Sequence, residues 1–176
     1  MLNSSLLPNS ATPNARPILV VDDSYDDFFL FSRALNLAGL ENPVRIVPDA
    51  ESAMRYLQGK GQYANRAAFP FPAVVVLDIA LGRINGVELL TWIKAQPDFR
   101  SLPCVVVTGD IRESLRTQCL RLGADHVLYK PCQPETLRAL AEANPEDWLR
   151  QPAGTEIAGC DWANGSAIPA ESSVAV

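Results

Sequence analysis

Ala73-Val74-Val75-Val76-Leu77-Asp78 decides the fold. The apolar run has no polar break and stops at an acid, and the turn-prone stretch Leu81-Gly82-Arg83-Ile84-Asn85-Gly86 follows it. β-Branched residues favour strands. A strand without polar alternation is one that is covered on both faces. Other runs end in the same manner. Ile18 to Val21 stops at Asp22-Asp23, Cys104 to Val107 at Thr108-Gly109, and Val127 to Tyr129 at Lys130-Pro131. Strand after strand delivers a polar or charged residue to one edge, where open α/β sheets place their chemistry.

The segments between these runs read as helices. Tyr25 to about Ala38 carries Phe28, Phe31 and Leu35 at helical spacing, and Gly39 is a good stop. Val44 to Val47 is a further strand, and Asp49 caps a helix through Ser52 to Leu57. A helix is expected from about Val87 to Ala95, ended by Pro97, and another from Ile111 to Leu122, closed by Gly123. Asp125 to Tyr129 forms a short last strand, and a helix from Pro134 to about Ala143 follows. The pattern is five repeats of strand then helix. Right-handed crossovers put all the strand C-termini on one edge of a parallel sheet.

Residues 1–16, rich in Asn, Ser and Pro, read as a disordered leader; 17–144 as one domain; and 145–176 as a flexible or partly docked tail containing Trp148 and Trp162. With 176 residues, one core is expected. The net charge of -5 argues against a general nucleic-acid binder. No apolar run approaches about 20 residues, so nothing is expected to span a membrane. The N-terminus has no basic, apolar secretory pattern, which points to the cytoplasm. Cys104, Cys119, Cys132 and Cys160 form no C-x-x-C pair. Cys104 and Cys119 suit buried, reduced thiols, and Cys160 lies in the tail.

Asp22, Asp23 and Asp78 converge if the strands ending in Val21 and Leu77 are neighbours. Clustered carboxylates repel one another unless a cation sits among them. Oxygen-only ligation with room for water suits Mg²⁺, with Mn²⁺ a close substitute. Thr108 and Lys130 add a hydroxyl and an ammonium, groups suited to a phosphoryl oxygen. Asp78, central in the sheet, is the preferred nucleophile.

With these stretches in place, the chain resembles a response-regulator receiver domain of two-component signalling, of the stand-alone single-domain type. Ile18-Leu-Val-Val-Asp-Asp23, Val74-Val-Val-Leu-Asp78 with Gly86, Val105-Val-Val-Thr108 and Lys130-Pro131 carry the resemblance, which covers residues 17 to about 143. It implies a five-stranded parallel sheet in the order 2-1-3-4-5 with helices on both faces. It implies that Asp78 accepts the phosphoryl group. Asp23 would hold Mg²⁺ directly, Asp22 would help through water, and Ala80 would offer its backbone carbonyl. Thr108 would swing to one phosphoryl oxygen while Lys130 bonds another. Phosphotransfer and dephosphorylation would be self-catalysed, without a separate output enzyme. The implied partners are a histidine kinase or histidine phosphotransfer protein, a downstream protein target, and a second copy pairing through helix 4, strand 5 and helix 5.

Some positions depart from that family. The aromatic switch usual three residues before the lysine is Val127 here, and Gly82 stands where Pro is common. Asp110, two residues beyond Thr108, is placed to guide or repel attacking water. The long loop from Gly59 to Pro72, with Tyr63, Arg66, Phe69 and Phe71, reads either as a docking surface or as an apolar patch folded on the second helix. A receiver-like scaffold that no longer cycles is an alternative, motivated by Val127. A small Mg²⁺-dependent aspartyl phosphatase is another, but Asp22-Asp23-Ser24 breaks its Asp-x-Asp spacing. A flavodoxin-like carrier is excluded by the acidic loop after the first strand, which would repel a flavin phosphate.

Overall fold

Unbroken apolar strands need cover on both faces, and this sheet receives it. The computed structural model describes residues 16–144. The expected leader up to residue 15, the tail from 145 and Cys160 lie outside them. The elements alternate throughout: β1 Ile18–Val21, α1 Tyr25–Leu37, β2 Val44–Val47, α2 Ala50–Gln58, β3 Val74–Asp78, α3 Gly86–Ala95, β4 Cys104–Thr108, α4 Glu113–Arg121, β5 His126–Tyr129 and α5 Pro134–Ala143. The strands form one parallel sheet in the order β2-β1-β3-β4-β5, the implied receiver topology.

Strand alternation sorts the core into two layers. Ile18, Val20, Val74, Val76, Val105 and Val107 meet residues of α1 and α5. Leu19, Val21, Val75, Leu77, Cys104 and Val106 meet α2, α3 and the buried Cys119 of α4. Cys104, Cys119 and Cys132 are free thiols, and burial pushes the Cys104 thiol up to about 12.

Most helix boundaries fall where the sequence places them. Asp49 caps α2, accepting the Ser52 N–H at 2.6 Å, and Gly59 ends that helix in the left-handed conformation at φ 64°. The helix expected from Ile111 begins instead at Glu113. Asp110 accepts the Arg112 backbone N–H at 2.9 Å and its carboxylate pairs with the Arg112 guanidinium, which holds the turn open and leaves Ile111 exposed. The 59–72 loop resolves in favour of the folded patch. Tyr63 is buried, with its ring 5.1 Å from Tyr56 and 5.3 Å from Phe69. Arg66 donates to the Tyr56 and Leu57 carbonyls at 2.8 and 2.6 Å, satisfying the open C-terminus of α2.

Candidate functional site

The register fixes which residues meet at the C-terminal edge. Val21 pairs with Leu77, so Asp22 and Asp78 stand level on neighbouring strands. Asp22 continues the parity of Val20, and Asp78 that of Val76, so both side chains turn toward the α1–α5 layer. Lys130 continues the parity of Leu128, which packs in that layer. Thr108 continues the parity of Val106, toward the opposite layer.

The outcome is one cation held by three carboxylates. Lys130 Nζ donates to Asp22 Oδ2 at 2.9 Å, to Asp27 Oδ2 at 2.7 Å and to Asp78 Oδ2 at 2.8 Å. The second oxygens of the two strand-end acids are also engaged. Asp22 Oδ1 accepts the Ser24 N–H at 2.8 Å, and Asp78 Oδ1 accepts the Ala80 N–H at 3.1 Å. Burial pulls the Lys130 ammonium toward its neutral form. Its hydrogen bonds to Asp27, Asp78 and Asp22 outweigh that, and its pKa ends above the usual lysine value. The Lys130–Pro131 peptide bond is cis.

Clustered carboxylates are expected to call for a dication, and here the Lys130 ammonium offsets only one of their three charges. The acidic oxygens fit a dication, because one oxygen from each of Asp22, Asp27 and Asp78 lies within 4.8 Å of the others, so an ion can draw on two of these acids while the third stays with Lys130. An all-oxygen set of this size suits Mg²⁺ or Mn²⁺. A cavity of about 310 Å³ opens beside the cluster, lined by its four charged residues and by Leu30 and Cys132 among others. Burial raises the Cys132 thiol to about 11, against the opposing charge of Lys130.

The expected site residues separate into those that meet and those that do not. Asp22, Asp78 and Lys130 converge. Asp23 is exposed and stands outside the trio, because its parity is opposite to that of Asp22 and the chain bends there. Ala80 lies next to the cluster through its backbone N–H. Thr108 is buried at the end of β4, one residue beyond Val107, the register partner of Asp78. Its Oγ1 accepts the Asp110 N–H at 3.1 Å. Asp27 was missed from sequence. The available signal was a Ser24 cap followed three residues later by an acid, which puts a carboxylate in the first turn of a helix beside the sheet edge.

Comparison with known proteins agrees with this geometry. The chain matches the response regulator receiver domain over residues 18–142. Response regulator Rcp1 of Synechocystis sp. is 36% identical over 132 residues, 75% of this chain and 88% of that protein. The solved structure of the phosphorylated cyanobacterial phytochrome response regulator RcpA superposes with a TM-score of 0.63 at 28% identity, covering 77% of this chain and 94% of that one. The Mn²⁺-bound form of Rcp1 gives a TM-score of 0.62 at 30% identity, with 77% and 95% coverage.

Proposed function

This chain belongs to the response regulator receiver family, and we propose on that footing that it is a protein switch set by phosphorylation of Asp78. The observation that carries the reading is the convergence of Asp22, Asp78 and Lys130 at one sheet edge, although Lys130 lies 108 residues from Asp22 and 52 from Asp78. A carboxylate oxygen of Asp78 attacks phosphorus of a phosphohistidine on a donor protein. The O–P bond forms as the N–P bond breaks, and the histidine nitrogen leaves with its electron pair. Lys130 sits within one hydrogen bond of Asp78 and neutralises a phosphoryl oxygen as charge shifts onto it. Thr108 turns its hydroxyl from the Asp110 N–H toward another. Water later cleaves the acyl phosphate and restores the carboxylate.

Asp22 and Asp78, with the Ala80 carbonyl, are the proposed ligands of Mg²⁺ or Mn²⁺, joined by Asp23, which is exposed outside the cluster and would have to turn toward the ion. When bound, the ion would supply further positive charge for the phosphoryl oxygens. A structure of the related Rcp1 is described as Mn²⁺-bound, which supports that assignment. The donor is a histidine kinase or histidine phosphotransfer protein. Tyr25, Phe29 and Leu30 are exposed on α1, the helix that carries Asp27, and Leu30 lines the cavity beside the cluster; they support a protein rather than a small molecule as the physiological donor. Output passes to a downstream protein, with pairing of two copies through α4, β5 and α5 as an accompanying event, and the setting is cytoplasmic. Among the described residues no helix is long and apolar enough to cross a membrane.

Val127 is partly buried against the α2–α4 layer and has no long lever to swing. The signal therefore leaves through the β4–α4 turn. There Thr108, Asp110 and Arg112 form one connected set, and phosphorylation pulls on its Thr108 end. The test is mass spectrometry after incubation with a small phosphodonor, with Mg²⁺ and with EDTA. A gain of one phosphoryl group, about 80 Da, on Asp78 and only with Mg²⁺ is expected. An unmodified Asp78 under both conditions refutes the reading.

A further inference from the structure

Asp27 occupies the third position of α1, where an acid commonly reaches back to the backbone N–H of the cap residue. Helix α3 completes that arrangement. Asn85 accepts the Glu88 N–H at 2.9 Å, and Glu88 accepts the Asn85 N–H at 3.1 Å. Helix α1 makes only half of it. Ser24 Oγ accepts the Asp27 N–H at 3.2 Å, but the Ser24 N–H goes to Asp22 Oδ1 at 2.8 Å. The Asp27 carboxylate is thereby released from capping. It takes the shortest of the three Lys130 bonds, 2.7 Å against 2.8 and 2.9 Å.

An ammonium has three donors, and all three of Lys130 are engaged by carboxylates. A dication drawing on Asp22 and Asp78 would compete with Lys130 for two of its three acceptors. Asp27 is the acceptor that remains. It comes from a helix, not a strand end, and its side chain is 39% exposed against 7% and 8% for Asp22 and Asp78. We propose that Asp27 is a positioning residue that holds Lys130 at the sheet edge when a dication takes Asp22 and Asp78. It acts through the lysine, not as a ligand of the ion. The proposal rests on the reading that this edge binds Mg²⁺ or Mn²⁺.

The test is a double-mutant cycle on the full chain with Mn²⁺ alone as the probe, read by calorimetric titration. The variants are Asp27→Asn, Lys130→Gln and their combination, with Lys130→Met as the second lysine variant should the Gln protein fail to fold. Without Asp27, the lysine competes harder for Asp22 and Asp78, so Mn²⁺ binds more weakly. That loss is expected to be about fivefold greater with Lys130 present than with Lys130 replaced, within the range for residues sharing one ion-pair network. A change confined to helix stability would leave this difference at one. An equal or larger loss in the Lys130→Gln background shows Asp27 acting without the lysine, through the helix or on the ion itself, and overturns the proposal, as does an Asp27→Asn protein with unchanged affinity. A wild-type chain that takes no Mn²⁺ fails the metal reading itself, a result seen before any variant is made, and the proposal falls with it.

Discussion

Gly86→Ala tests how tightly the phosphoacceptor strand is tied to the helix that follows it. Gly86 opens α3, and its N–H donates to the Ile79 carbonyl at 3.0 Å. A Cβ built at Gly86 would lie 2.0 Å from the Asp78 carbonyl oxygen, 2.8 Å from Ile79 Cα and 2.9 Å from the Asp78 carbonyl carbon. Ordinary contact begins at 3.4 Å, so the helix start and the end of β3 must separate by roughly 1.4 Å. No obstructing atom is the tip of a flexible side chain, so the strain cannot be relieved by a rotamer change. Overpacking costs about 1–3 kcal/mol, and a rigid backbone obstacle puts this site at the upper end, about 3 kcal/mol. Gly82 in the same loop is the control. Among the described residues nothing lies within 4 Å of its Cβ, and its φ is not positive, so Gly82→Ala should change stability by less than about 1 kcal/mol, toward greater stability. Urea unfolding monitored by circular dichroism measures both, and Asp78 phosphorylation is followed alongside. A Gly86→Ala protein within about 0.5 kcal/mol of wild type, with a normal phosphorylation rate, refutes the reasoning.

Lys130→Met removes the cation from among three carboxylates and should cost about 3 kcal/mol at neutral pH, the scale for breaking a buried ion pair from one side. The Lys130 pKa is raised in the folded state, so its contribution is full below about pH 10.4 and declines as pH rises through the higher folded value. Wild type should therefore lose stability on the alkaline side faster than the Met variant, and parallel alkaline curves in urea titrations would contradict this. Arg66→Ala should destabilise by about 2 kcal/mol, because the Tyr56, Leu57 and Phe69 carbonyls lose a charged donor, and thermal unfolding reads the effect. Cys132, with its thiol raised to about 11, should react with iodoacetamide far more slowly at pH 7.5 in the folded chain than in urea; equal rates would place the thiol in a different environment.

Much of the architecture is legible one segment at a time. The Val-rich runs, the acids and the lysine directly after them, Asp49 as a cap and Gly39, Gly59 and Gly123 as stops are local properties. Side-chain shape and backbone freedom act over a few residues, so they can be read without knowing the rest of the chain. The start of α4 was less legible, because the Asp110–Arg112 pair competes with the helical pattern that includes Ile111. The fate of the 59–72 loop turned on Arg66 finding the end of α2, which apolar content alone does not reveal.

The sequence by itself determined that an acid, a hydroxyl and an ammonium would share one edge of a parallel sheet, because strand and helix alternate and crossovers have one hand. Which acids meet the ammonium was decided only by the tertiary structure. Asp22 enters and Asp23 does not because strand parity aims one side chain at the α1–α5 layer and the other away. Asp27 enters because the β1–α1 turn brings the first turn of α1 to the same edge as a lysine 103 residues further along. Hydrogen bonds act over about 3 Å, so partners that far apart in the chain are chosen by packing and not by any local pattern.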